Sequence, residues 1–234
     1  MNRSHFPFLL NTLTTISMVF AIWMVFLWVP TETNQGAVQR ILYIHVPIAW
    51  GAMVSICIVA VASILYLHNR SAKWDRIAVS SAEAGAIFGS MMLFSGMMWA
   101  RPVWGVFWTG EAKLVTTLIL FLLFVAYLMF RNYFPEGIQQ KKIAAVIGII
   151  GAIDTPVIYF AANLWERAHP PLVTGPASDG DSLLSGSIEL TLFVSAVAFS
   201  LLLFSLINLR YSVHKSEDAV NLFYRNSSIE SNTL

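Results

Sequence analysis

The hydrophobic residues of this chain gather into six long apolar segments, separated by shorter stretches that contain charges, prolines and glycines. The segments lie at about residues 9–29, 43–67, 80–99, 114–131, 143–163 and 188–209. A helix of roughly 20 apolar residues crosses a bilayer. The apolar character is continuous within each segment, whereas the strands of a membrane barrel would alternate over about ten residues. The pattern therefore predicts an all-α integral membrane protein with six transmembrane helices.

The composition agrees with a membrane protein and argues against two classes of function. Hydrophobic residues make up 57% of the 234 residues and charged residues only 12%, whereas soluble domains contain about 25% charged residues. The net charge of +1 argues against nucleic-acid binding, which needs a concentrated basic face. The single cysteine, Cys57, leaves no Cys-x-x-Cys-His motif, so we expect no covalently attached c-type haem.

The basic residues predict the orientation in the membrane. If both termini lie on one side, that side carries ten Lys and Arg residues and the other side carries four, which are Arg40, Arg101, Lys113 and Arg167. The positive-inside rule then places both termini in the cytoplasm and the loops at about 30–42, 100–113 and 164–187 outside. Residues 1–210 form the predicted membrane domain. Residues 211–234 form a polar cytoplasmic tail, expected to be disordered or a short surface helix.

One predicted outer loop, residues 99–113, is unusually rich in aromatic side chains. Trp99, Trp104, Phe107 and Trp108 fall within ten residues, and the charged residues Arg101, Glu111 and Lys113 accompany them. An interfacial aromatic belt is one interpretation, because Trp prefers the headgroup region. A belt should occupy both interfaces, however, and most tryptophans of this chain, Trp165 included, lie at the outer boundary. The asymmetry favours a binding platform.

The chemistry of this platform suits a planar, apolar ligand with anionic edges. Indole faces supply flat apolar area, and nearby cations pair with carboxylates. Haem has that shape and charge, and its iron takes imidazole as an axial ligand. His45 and His169 are the two histidines on the predicted outer face, whereas His68 and His214 fall on the inner side and are expected to be solvated. Taken singly, each outer histidine also fits a structural role.

Three acidic residues lie in or near the apolar segments. An ionised carboxylate costs about 3 kcal/mol or more at the bilayer centre, so Glu83, Asp154 and Glu189 are candidates for function. Asp154 lies beside Pro156 and has a second interpretation, hydrogen bonding to backbone that the proline frees. In the third segment, Gly85 and Gly89 predict close helix contact. The methionines at 91, 92, 97 and 98 are expected to fill packing gaps rather than to bind iron.

These features together resemble the CcmC family of haem-handling membrane proteins in cytochrome c maturation. Tyr43-Ile-His-Val-Pro is similar to the family's first histidine motif, residues 99–114 to its tryptophan-rich WWD motif, and Asn163-Leu-Trp-Glu-Arg-Ala-His169 to its second histidine motif. The chain differs from the WWD pattern at Phe107, at Gly110-Glu111 and at Lys113, where the family has Trp, Trp-Asp and Arg.

The resemblance implies binding of haem b, non-covalently and transiently, at the extracytoplasmic face of the inner membrane. His45 and His169 would be the axial iron ligands. The remaining contacts would come from Trp99, Arg101, Trp104, Phe107, Trp108, Glu111, Lys113 and Trp165. The implied partners are a CcmE-type haem chaperone, the CcmA/CcmB ABC transporter subunits and a small CcmD-type membrane subunit. The role is haem handling and transfer rather than turnover catalysis.

Three other functions stay open at this point. A synthase that ligates haem to apocytochrome c shares the tryptophan-rich motif, but such proteins tend to have more spans and more histidines. A b-type redox cytochrome with two histidine ligands commonly holds its haem inside the bundle, between facing helices. A small-molecule permease is a third alternative, which would need Asp154 to line a conducting path.

Overall fold

The computed structural model describes residues 5–33, 35–164 and 186–231, and within these ranges the secondary structure is helical apart from turns and one isolated bridge between Glu32 and Gly36. The α-helices are α1 His5–Trp23, α2 Leu42–Asn69, α3 Ala72–Trp104, α4 Ala112–Tyr133, α5 Ile138–Ala152, α6 Asp154–Leu164 and α7 Gly186–Ser231. A π-helical turn, Met24–Trp28, extends α1, and a 3-10 turn, Ala37–Ile41, leads into α2.

The prediction of an all-α membrane protein with six spans is confirmed. Among the described residues, six helical stretches are long and apolar enough to cross a membrane: His5–Trp28, Ala37–Asn69, Ala72–Trp104, Ala112–Tyr133, Ile138–Phe160 and Gly186–Tyr224. The fifth stretch contains both α5 and α6. Ile153 separates these two helices, and Asp154 is the first residue of α6.

The helices are longer than the apolar segments that predicted them. Residues Trp99–Trp104, predicted as loop, form the last turns of α3, and the loop itself is residues 105–111. The predicted tail is likewise helical through Ser231, as a direct continuation of α7. The physical reason is that hydropathy falls where polar residues begin, whereas a helix continues for as long as its backbone hydrogen bonds are made.

Glycines allow the two central helices, α2 and α3, to approach closely. A Cβ atom at Gly51 of α2 would overlap the ring of Phe88 on α3. A Cβ atom at Gly85 of α3 would lie 2.9 Å from Cβ of Ser55 on α2 and would also overlap the ring of Phe124 on α4. The close contact that Gly85 predicts is therefore present, because small residues let helix backbones approach within a membrane.

The bundle has two chemically different ends. α1 runs antiparallel to α7, since Asn11 hydrogen-bonds Ser205 while Val25 packs in one cluster with Ile188. The starts of α1, α3 and α5 therefore meet the far part of α7 at one end, which we call the charged end. The starts of α2, α4 and α7 lie at the other end, which we call the aromatic end.

Buried ion pairs join the helices at the charged end. Asp75 of α3 is 5% exposed and accepts two hydrogen bonds from Arg131 of α4, at 2.7 and 3.0 Å. Lys141 of α5 adds a contact at 3.2 Å. Because a buried carboxylate needs paired charges to offset its desolvation, this arrangement fixes α3, α4 and α5 relative to one another.

The acidic residue Glu83 belongs to the same charged end. Arg210 of α7 donates to both of its carboxylate oxygens, at 2.7 and 2.8 Å, and His214 lies 3.1 Å away. The sequence-based expectation that His214 is solvated is therefore wrong, because its ring lies between Glu83 and Glu217. Glu83 links α3 to α7, which accounts for an acidic residue in an apolar segment without a separate function.

We predict that Gly85→Val destabilises the bundle, because the larger side chain would overlap Phe124 and Ser55. Overpacking of this kind costs about 1–3 kcal/mol. The measurement is the thermal unfolding midpoint of the purified protein in detergent. Gly137→Ala is the control, because no atom lies within 4 Å of a Cβ at that position. An unchanged midpoint for Gly85→Val would contradict the close approach.

Candidate functional site

A cavity opens at the aromatic end, between α2, α3, α4 and α6. Five of the residues predicted from sequence to form the binding site line it: His45, Trp99, Trp104, Trp108 and Lys113. They come from three different helices and from the loop after α3. Other parts of the wall are apolar or aromatic, among them Trp50, Met53, Met92, Met97, Val103 and Tyr159. The structure therefore brings five of the ten predicted residues to one place.

His45 is held in a defined orientation at the wall of this cavity. Its Nδ1 atom lies 2.9 Å from the hydroxyl oxygen of Ser95 on α3. Its ring meets the Trp99 indole edge-on, with ring centroids 5.9 Å apart at 71°. A Cβ atom at Gly96 would lie 3.1 Å from Cε1 of the imidazole. Within the described part of the chain, the structure gives the other ring nitrogen, Nε2, no hydrogen-bond partner.

Trp99 is also held by a residue of the segment between α1 and α2. The indole Nε1 of Trp99 donates to Oε1 of Gln35 at 3.1 Å, and the backbone N–H of Gln35 donates to Glu32. Trp99 thus contacts both the loop before α2 and the His45 ring. An indole that is hydrogen-bonded at its edge has a fixed plane, so it presents a constant apolar surface.

The loop after α3 divides the predicted residues into two groups. Gly105 and Gly110 have φ values of 77° and 75°, which glycine adopts without strain. The loop places Trp108 at the cavity with 37% of its surface exposed. Arg101 and Phe107 instead lie together on the outside, with the guanidinium 5.6 Å from the ring centroid and hydrogen-bonded to the Gly105 carbonyl. Neither lines the cavity.

The charged residues beside the cavity also differ in position. Lys113, in the first turn of α4, lines the cavity. Glu111 is 3% exposed at the N-terminal boundary of α4, where a carboxylate interacts favourably with the positive end of the helix dipole. The structure therefore places the Lys113 ammonium group at the cavity wall and the Glu111 carboxylate at the start of α4, away from the cavity lining. His169 and Trp165 lie outside the described residues.

Several residues that complete the site were not predicted from the sequence. Ser95 and Gly96 fall one helical turn before Trp99 and support His45, and Gln35 supports Trp99. Helical spacing was the available signal, since Met92, Gly96, Trp99 and Val103 share one face of α3 and all line the cavity. Met53, Met92 and Met97 add polarizable apolar wall to the same surface.

The residues fit a flat macrocycle that carries a metal ion. The donor set is one oriented imidazole with Nε2 available, the walls are indole and thioether groups, and a lysine lies at the wall. Gly96 keeps space at the imidazole that any larger side chain would take. These are the features by which proteins hold haem iron and its anionic propionates. The fold and cavity together define a six-span helical membrane protein with an apolar, aromatic-lined cavity at one end.

Comparison with known proteins gives the family. A family model described as Heme exporter protein C matches residues 2–222. Heme exporter protein C of Bradyrhizobium diazoefficiens is 34% identical over 177 residues, which cover 76% of this chain and 66% of that protein. Heme exporter protein C of Escherichia coli K12 is 28% identical over 163 residues, covering 70% and 66%. The chain belongs to the heme exporter protein C (CcmC) family.

The chain is also similar to a plant mitochondrial protein. A putative cytochrome c biosynthesis ccmC-like mitochondrial protein of Arabidopsis thaliana is 34% identical over 142 residues, which cover 61% of this chain and 53% of that protein. In each of these comparisons the matched stretch spans about two thirds of the relative's length or less. The resemblance drawn from the histidine and tryptophan motifs is confirmed at the level of the family.

Proposed function

We propose that this protein binds haem b non-covalently in the cavity at the aromatic end and passes it to a CcmE-type haem chaperone during cytochrome c maturation. The observation that carries the proposal is His45, whose ring is oriented by Ser95 and Trp99 while Nε2 remains available beside three indoles. The names of the relatives, which refer to heme export and to cytochrome c biosynthesis, support the same function.

Each group of residues has a distinct part in this proposal. Nε2 of His45 ligates the haem iron, and His169 is the proposed second axial ligand. Trp99, Trp104 and Trp108 hold the porphyrin by apolar contact, with Trp165 as a further wall residue. Lys113 pairs with a propionate. Arg101 and Phe107 lie outside the cavity lining, so we assign them to the loop surface that meets a partner. Glu111, at the N-terminal boundary of α4, is assigned to the support of this loop.

The exposure of the site suits a protein that releases its ligand. Trp108 is 37% exposed and Phe107 is 49% exposed, so part of the aromatic loop is accessible from outside. A haem held at such an opening presents one edge to an acceptor. Buried redox haems, in contrast, commonly lie within a bundle between two histidines. In the described part of the chain, His45 is the one histidine that lines this cavity, and it lies at an end of the bundle.

The proposed location is the inner membrane, with both termini cytoplasmic and the cavity at the extracytoplasmic face. The charged end contains Arg70, Lys73, Arg76, Arg131, Lys141, Lys142, Arg210 and Lys215, and such enrichment is typical of a cytoplasmic side. Residues 1–210 are then the membrane domain and residues 211–234 a cytoplasmic tail. The proposed membrane partners are CcmA/CcmB subunits and a CcmD-type subunit.

The central test of the proposal is removal of the iron ligand. We expect His45→Ala to lower the haem content of the purified protein and to shift the Soret band of any haem that remains, because the ligand field of the iron changes. Absorption spectra at matched protein abundance provide the measurement. His68→Ala is the control, since His68 is exposed near the other end of the same helix. Equal spectra for His45→Ala and the wild type would overturn the assignment.

Substitution of the cavity tryptophans should lower haem content without changing the spectrum, unlike substitution of His45. Trp104→Ala and Trp108→Ala remove apolar contact of about 1–3 kcal/mol by area, so haem content and covalent haem on a co-expressed chaperone should fall while the remaining haem keeps its wild-type spectrum. Phe107→Ala is the matched control, because Phe107 packs on Arg101 outside the cavity and should retain haem. Normal haem content in the Trp104/Trp108 double variant would return this loop to an interfacial aromatic belt.

The orientation is tested with reporters fused at two loops. A fusion after Gly110 should behave as extracytoplasmic and one after Glu136 as cytoplasmic, because the two positions lie at opposite ends of α4. Alkaline phosphatase and green fluorescent protein activities give complementary readouts. The reverse pattern would place the cavity on the cytoplasmic side and would contradict extracytoplasmic haem delivery.

A further inference from the structure

We infer that Ser95 is a positioning residue for His45, which accepts a hydrogen bond from Nδ1–H and thereby leaves Nε2 as the nitrogen that binds iron. The inference rests on the proposed function, because it concerns the same histidine. It adds a residue of α3 that neither the histidine motifs nor the tryptophan-rich segment contains. The position of the single proton of the Ser95 hydroxyl determines which of the two groups donates.

The surroundings of the Ser95 hydroxyl settle the direction of its hydrogen bonds. Its oxygen lies 2.7 Å from the carbonyl oxygen of Met91, 3.2 Å from that of Met92 and 2.9 Å from Nδ1 of His45. A carbonyl accepts and never donates, so the hydroxyl proton points toward the helix backbone. The hydroxyl lone pairs then face the imidazole, and the ring donates to them. The Met92 carbonyl is a second acceptor for the same ring, and a carbonyl likewise requires the proton to lie on the imidazole.

This direction fixes the tautomer of His45. A neutral imidazole carries one N–H, so a proton on Nδ1 leaves the lone pair on Nε2. The opposite tautomer would need Ser95 to turn its proton away from Met91 and would place a hydrogen on Nε2, where iron cannot bind. Metal-binding histidines commonly donate their second ring nitrogen to such an acceptor, which orients the ring and makes the ligating nitrogen more basic.

Neighbouring residues on α3 make the orientation unique. Gly96 leaves the space that the imidazole edge occupies, and the Trp99 indole contacts the same ring at 71°. Ser95, Gly96 and Trp99 lie within about one helical turn, so a short stretch of α3 supplies an acceptor, clearance and an aromatic contact. The orientation of the His45 ring is thus fixed by α3 before haem binds.

The test compares Ser95→Ala with Ser95→Thr, which keeps the hydroxyl, in the full-length protein with haem bound. Loss of an outer-shell partner typically weakens metal binding 10- to 100-fold, so Ser95→Ala should release haem to excess apomyoglobin about tenfold faster. The reduction potential of the haem that remains should rise, because a less basic imidazole stabilises ferric iron less. Ser95→Thr should restore both values. Ser90→Ala is the control, because Ser90 bonds only its own helix, at Ile87.

The outcomes separate this inference from the proposed function. If His45→Ala alters the spectrum but Ser95→Ala keeps the wild-type potential and release rate, Ser95 does not position His45 and the proposed function stands. If His45→Ala leaves the spectrum unchanged, the ligand assignment itself fails. A further loss on adding Ser95→Ala to His45→Ala would also overturn the inference, because Ser95 would then act through packing rather than through the imidazole.

Discussion

The close approach of α2 and α3 is the constraint on which the rest of the structure depends. Three glycines lie along this contact: Gly51 faces Phe88, Gly85 faces Ser55, and Gly96 faces His45. A Cβ atom at Gly51 or Gly85 would overlap a neighbouring side chain, and one at Gly96 would crowd the imidazole. Because the helices meet closely up to the aromatic end, His45 of α2 reaches the hydroxyl of Ser95 and the edge of Trp99 on α3. Packing between α2 and α3 thus determines the position of the His45 imidazole at the cavity.

The two ends of the bundle use charge in opposite ways. At the charged end, Asp75 pairs with Arg131 in a buried contact and Glu83 pairs with Arg210 in a partly exposed one, and both pairs hold the helices in register. At the aromatic end, indoles and methionines line the cavity, with Lys113 as a cation at its wall. A planar apolar ligand with anionic edges matches the second surface and not the first. The separation lets one end stabilise the fold while the other stays open to a ligand.

The sequence predicted the spans and much of the site, for identifiable reasons. A continuous apolar segment in a bilayer must satisfy its backbone hydrogen bonds internally, and a helix does so, so the six segments predicted six helices. His45 and Trp99 were found because their chemistry is distinctive. Ser95 and Gly96 were missed, since small residues in a membrane helix look like packing. The positions of Arg101 and Phe107 depend on a loop that turns at Gly105, with a φ of 77°, and spacing along the chain does not predict such a turn.

Haem is proposed to bind in the cavity at the aromatic end, and a cryo-electron microscopy structure of the haem-loaded protein tests this most directly. It should place the porphyrin against Trp99, Trp104 and Trp108, with Nε2 of His45 toward the iron and Nδ1 still beside Ser95. Density for the porphyrin at the charged end, or iron ligated at a position remote from His45, would contradict the account.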